Sequence, residues 1–137
     1  MLHEPGFEVS LPREPKRKLI DPDVMEFDAW PYTLTLRKLQ TAVASGDEGT
    51  VLTSAAEAGA EQFVKSHNGK LLSRTSITLG SHTGIESEVA VNKHPLVGTY
   101  RWRTFINRNR LFQLYVYANQ GEQTDSERFF QSFRLTD

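Results

Sequence analysis

The sequence contains no cysteine, which excludes disulfides, thiolate nucleophiles and cysteine-ligated zinc. An oxidising compartment does not oblige a protein to use disulfides, so localisation stays open on this ground. An excess of either charge is also missing: sixteen basic and seventeen acidic residues leave a formal charge of -1. That balance argues against a dedicated nucleic-acid binder, which shows a basic excess or stripe. No run reaches the length of a transmembrane helix, and Met1 to Phe7 lacks the apolar core of a signal peptide.

Catalytic signatures are missing too. There is no G-x-S-x-G elbow, phosphate-binding glycine loop or G-x-G-x-x-G; Gly80-Ser81-His82-Thr83-Gly84 places His where the elbow needs Ser and reads as a hairpin loop. His3, His67, His82 and His94 form no pair at zinc spacing. Asp21-x-Asp23-x-x-Glu26 lacks the glycine and terminal glutamate of a calcium loop and reads as a solvated hairpin. No catalytic residue, metal or cofactor is expected.

What the chain does have is alternation. At 137 residues its length suits one domain, residues 1–137, able to bury roughly two thirds of its unfolded surface. From Lys70 to Ala118 four segments alternate apolar and polar residues at period two, separated by short turn-rich breaks. This predicts a β-meander whose core face carries Leu71, Ile77, Leu79, Ile85, Val89, Val91, Tyr100, Trp102, Ile106, Phe112, Leu114 and Val116. Phe7 to Leu11 reads as a short first strand stopped by Pro12, and Arg13 to Lys18 as a basic turn. Val24 to Trp30 and the segment after Pro31 read as two further strands forming a hairpin or bent pair.

A loop over Ala44 to Thr50 leads into a helix that the capping-box spacing of Ser54 and Glu57 places from Ser54 onward, with Asn68-Gly69 as its left-handed stop. Ala56, Gly59 and Ala60 let that helix lie close on a sheet. Thr124 and Glu127 repeat the capping-box spacing ahead of a short helix holding Phe129, Phe130 and Phe133.

Several segments together carry a family resemblance: Phe7-x-Val9-x-Leu11-Pro12, a helix, Lys70-Leu71-Leu72-Ser73 running to Ile77-Thr78-Leu79-Gly80, Gly84-x-Glu86, Arg103 ahead of Leu111-Phe112-Gln113-Leu114, and Phe129-Phe130-x-Ser132-Phe133-Arg134-Leu135. The chain resembles small bacterial proteins related to the Mog/PsbP-like fold. The resemblance implies an α+β fold, an antiparallel sheet of about six or seven strands with helices packed on it, which agrees with the direct reading. Known relatives bind protein partners, one the small GTPase Ran and another photosystem II. No binding residue of theirs is matched here.

The polar side of the meander supplies the candidate site. Turn lengths chosen to align the apolar faces pair Thr78 with Glu86, Glu86 with Arg103, Glu88 with Arg101, Arg103 with Tyr115 and Arg101 with Tyr117. Glu86, Glu88, Arg101, Arg103, Tyr115 and Tyr117 would then form one row across the sheet. Such a row needs no ligand, because opposite charges on a half-exposed face stabilise one another. It also suits a docking surface, since Tyr and Arg are enriched at binding hot spots. Asp21, Asp23, Glu26 and Asp28 make an early hairpin acidic, able to steer a charged partner. The sequence therefore predicts a non-enzymatic binding or accessory module with an unidentified protein partner. The alternative is a small-molecule binding protein or enzyme with a site near Gly80 to Gly84.

Overall fold

The computed structural model describes residues 1–44, 46–119 and 126–136. The alternating segments form strands β3 (Lys16–Asp21), β4 (Val24–Ala29), β5 (Tyr32–Lys38), β6 (Lys70–Leu79), β7 (His82–Lys93), β8 (Leu96–Asn107) and β9 (Arg110–Asn119). They build one antiparallel sheet in the order β3-β4-β5-β9-β8-β7-β6. A second sheet joins the two ends of the chain: β1 (Leu2–Glu4), β2 (Phe7–Val9) and β10 (Arg134–Leu135), in the order β1-β2-β10. Two helices complete the molecule, α1 (Glu48–His67) and α2 (Ser126–Ser132).

The large sheet is covered on both faces. On one face α1 lies over β7 and β8, setting Leu52, Ala56 and Ala60 against Ile85, Val89, Val91, Trp102, Ile106 and Leu111. On the other, the small sheet and α2 bring Phe7, Val9, Phe129, Phe130 and Phe133 against Phe27, Leu34, Phe105, Phe112, Leu114 and Val116. The single core face expected from alternation is therefore divided. Ile85, Val89, Val91, Tyr100, Trp102 and Ile106 lie under α1, whereas Phe112, Leu114 and Val116, with Ile77 and Leu79, belong to the opposite core. Leu71 is 40% exposed, near the start of the edge strand β6.

Turn geometry explains the division. The β8–β9 turn is two residues long, Arg108-Asn109, with Arg108 at φ 60°, so Asn107 faces Arg110. That places Arg101 opposite Val116 and Arg103 opposite Leu114, one residue away from the expected Tyr117 and Tyr115. The expectation aligned apolar faces on the premise of one buried face, and two buried faces remove that constraint. The β6–β7 turn is also short: Gly80, at φ +60°, and Ser81 close it with Leu79 facing His82. Glu86 consequently faces Thr75 rather than Thr78. Across β7–β8 the expected pairs Glu86–Arg103 and Glu88–Arg101 are present, set by the turn at His94-Pro95.

Helix α1 starts six residues before the expected capping box, so Ser54 and Glu57 stand inside it. The extra turns carry Leu52, 1% exposed among Ile85, Ile106 and Leu111, and this burial extends the helix beyond what local capping signals. Its end is as expected: Asn68 is left-handed at φ 49°, ψ 46° and donates its N–H to the Val64 carbonyl. Gly59 lies over the Trp102 ring, where an added Cβ would stand 3.5 Å from the indole, so the small residues do bring the helix close. Thr124, the expected cap of the last helix, lies outside the described residues.

One further strand comes from a segment read otherwise. Lys16 to Lys18 of the expected basic turn continue through Leu19 and Ile20 as β3, whose six residues are all exposed at the sheet edge. Lys16, Arg17 and Lys18 suit such an edge, because charges there discourage pairing with another chain. The first strand is shorter than expected, ending at Val9, and pairs with β1 across Pro5-Gly6.

Candidate functional site

On the face beneath α2, three of the expected row residues meet. Both Arg101 Nη2 and Arg103 Nε stand 2.8 Å from Glu86 Oε1. Arg101 also pairs with Glu127 of α2 and donates to Ser126 Oγ at 3.2 Å. Both guanidiniums lie over the Phe130 ring, 5.1 and 4.6 Å from its centroid. Burial works against the charge on Arg101, but its bonds to Glu127 and Glu86 outweigh this and hold the guanidinium above its ordinary pKa. The cluster fastens α2 to the sheet. Glu88 faces Arg101 across the ladder but makes no ion pair among the described residues.

This arrangement predicts unequal effects of neutralising the two glutamates. Glu86→Gln should cost about 1–2 kcal/mol, between the values for exposed and buried pairs, and the loss should shrink as salt rises. Glu88→Gln should stay within about 0.5 kcal/mol of the parent. Urea denaturation of both variants at two salt concentrations checks this, and equal losses would show that Glu86 is not the hub.

Tyr115 and Tyr117 lie on the other face, where they stack into an aromatic array. Trp30 stacks on Tyr117 at 5.3 Å, Tyr117 meets Tyr100 at 5.0 Å, Tyr100 meets Phe63 at 4.5 Å, and Trp102 stacks on Tyr115 at 5.9 Å. Helix α1 packs chiefly on β7 and β8, and a cleft remains beside it over part of β4, β5 and β9. It is a cleft of about 350 Å³ whose walls include Trp30, Phe63, Tyr100 and Tyr115, and whose strand floor includes Glu26 and Asp28. Burial raises the Tyr100 phenol above its usual pKa, with Tyr117 and Asp28 adding to the effect. Burial also drives up Tyr115, against the field of Arg37 and with that of Glu26.

Sequence reading missed Trp30, Phe63 and Tyr100 as site residues and took Glu26 and Asp28 only as part of an acidic hairpin. One signal was available: Glu26 and Asp28 alternate with Phe27 and Ala29, which puts both carboxylates on one strand face. What stands beside them depends on α1 and could not be read.

A second, larger cleft of about 690 Å³ opens beside the Gly80–Ser81 turn, with His82, Arg103 and Arg134 among its lining. Arg103 is engaged by Glu86, and Arg134 donates to the carbonyls of Gln131 and Phe133. Among the described residues, no group of three or more His, Cys, Asp or Glu side chains is placed to hold a metal ion, and no helix is long and apolar enough to cross a membrane.

A seven-stranded antiparallel sheet with a helix on one face, and a short helix and a terminal sheet on the other, is a PsbP-like α+β fold. The solution structure of cyanobacterial PsbP (CyanoP) from Synechocystis sp. PCC 6803 is similar, with a TM-score of 0.66 over 96% of this chain and 87% of that one. At 14% identity the likeness concerns the fold alone. No protein-family model and no curated protein sequence matches the chain.

Proposed function

We propose that this protein is a non-enzymatic binding or accessory module that engages a protein partner through the open cleft beside α1. The observation that carries this reading is Trp30, held 46% exposed at the cleft rim by stacking on the buried Tyr117. A large aromatic presented to solvent on a fixed support is what a binding hot spot uses. Of the six side chains singled out in the sequence, Tyr115 lines this cleft and Tyr117 lies buried beneath Trp30, whereas Arg101, Arg103 and Glu86 secure α2. Glu88 lies with them on the opposite face.

The expected result is that Trp30→Ser abolishes capture of a protein partner from the source organism while the protein stays folded, since the ring sits at the rim and belongs to none of the buried core clusters. Capture undiminished by this change would move the interaction elsewhere. A small-molecule or enzymatic site near Gly80 to Gly84 is the second reading, favoured by the larger cleft there. It predicts that His82→Ala, rather than Trp30→Ser, removes ligand binding.

A further inference from the structure

The chemistry of the cleft beside α1 is one-sided, and this deepens the reading of it as a binding surface. Its floor presents Glu26 and Asp28, two residues apart on β4 and therefore on the same face. Thr33, paired with Asp28 across β4–β5, has its hydroxyl 3.5 Å from the Asp28 carboxylate. No lysine or arginine stands among the described lining residues. Two cations stand nearby without entering the lining: Arg37, exposed toward the far end of β5, whose field reaches Tyr115, and Arg13, whose guanidinium is engaged with the Trp30 carbonyl at the rim. The walls include the rings of Trp30, Phe63, Tyr100 and Tyr115. A buried ring nitrogen, His67 Nδ1, has no hydrogen-bond partner among the described residues and belongs to the same lining.

Carboxylates beneath aromatic walls favour a cation over any neutral or anionic group. The ring quadrupole is negative on its face, and a cation placed there gains more when partly desolvated. A neutral apolar group would leave two carboxylates covered and unpaired, and an anion would be repelled by both. A metal ion is not favoured, because among the described residues no group of three or more His, Asp or Glu side chains is placed to hold one.

We infer that the cleft beside α1 receives a basic side chain, lysine or arginine, carried by the protein partner. The inference rests on the reading of this cleft as the partner-binding surface. A side chain of a polypeptide fits better than a free amine because the cleft is open along the sheet. It leaves a small ligand partly in water, whereas a polypeptide gains further contacts on the rim at Trp30.

The test follows the Trp30 indole N–H resonance of the full chain while titrating blocked peptides of the form Gly-Gly-X-Gly-Gly. With X as lysine or arginine, the resonance should shift saturably. With X as norleucine, which keeps the aliphatic stem and removes the charge, binding should weaken about tenfold or more. The isosteric double variant Glu26→Gln/Asp28→Asn should show a similar loss while its remaining spectrum stays that of the parent.

Equal binding of lysine and norleucine peptides overturns the cation and leaves an apolar partner surface. Butylammonium binding as tightly as the lysine peptide overturns the polypeptide source. Absence of any peptide binding overturns the inference as a whole. These failures are separable from failure of the wider reading, because partner capture by the parent and by Trp30→Ser is measured independently of the probe.

Discussion

Replacing Trp102 by alanine should lower the free energy of unfolding by about 3–5 kcal/mol, the cost of emptying a core aromatic site. The indole is fully buried, with Gly59 above it and the Phe63 and Tyr115 rings at 5.1 and 5.9 Å. Its Nε1 has no hydrogen-bond partner among the described residues, so the loss comes from packing and not from a broken bond. Trp102→Phe should therefore be much milder than Trp102→Ala, because it keeps a ring against the helix and removes the unpaired N–H. Chemical denaturation of both variants decides. If the alanine variant lost less than about 1 kcal/mol, α1 would not be a packing layer on this sheet.

Phe7→Ala should be nearly as damaging, again about 3–5 kcal/mol, although Phe7 lies in a strand of only three residues. The side chain is 1% exposed and meets the rings of Phe27, Phe112 and Phe133 at 5.7, 5.5 and 6.1 Å. Its strand joins the two ends of the chain, pairing with β1 on one side and β10 on the other. The Ser10 N–H donates to Ser132 Oγ at 2.8 Å, and the Thr136 N–H to the Gly6 carbonyl at 3.0 Å. Loss of Phe7 should thus loosen both termini together, and hydrogen exchange in β2 and β10 should accelerate in step. A loss below about 1 kcal/mol, with exchange unchanged, would mean that the terminal sheet adds little to the core.

The two substitutions act on opposite faces of one sheet, and comparable losses would establish that both faces are core. The sequence carried a sign of this in β9. Leu111, Tyr115 and Tyr117 stand at one parity and Phe112, Leu114 and Val116 at the other, so both faces of the strand are apolar or aromatic. A strand of that kind has no unique facing by alternation, and a shift of one residue at its turn exchanges the two sets.

By itself the sequence determined the elements that depend on neighbours along the chain. The meander, the β4–β5 hairpin, the left-handed stop at Asn68, the burial of Trp102 and the facing of Glu86 with Arg103 all follow from alternation and turn residues. The α+β class was legible in the same way, whereas the PsbP-like fold was legible through the family resemblance of the chain. Tertiary structure alone decided which residues of distant segments meet. It separated Tyr115 and Tyr117 from Arg101 and Arg103, because two-sided burial leaves the register to a two-residue turn. It drew β1, β2 and β10 together from the two ends of the chain, a pairing with no local signal. It also left a cleft beside α1 over part of β4, β5 and β9, so that Glu26 and Asp28 line a cavity together with aromatic rings. Alternation reports that a strand has two faces, whereas what covers each is settled by contacts between residues far apart in sequence.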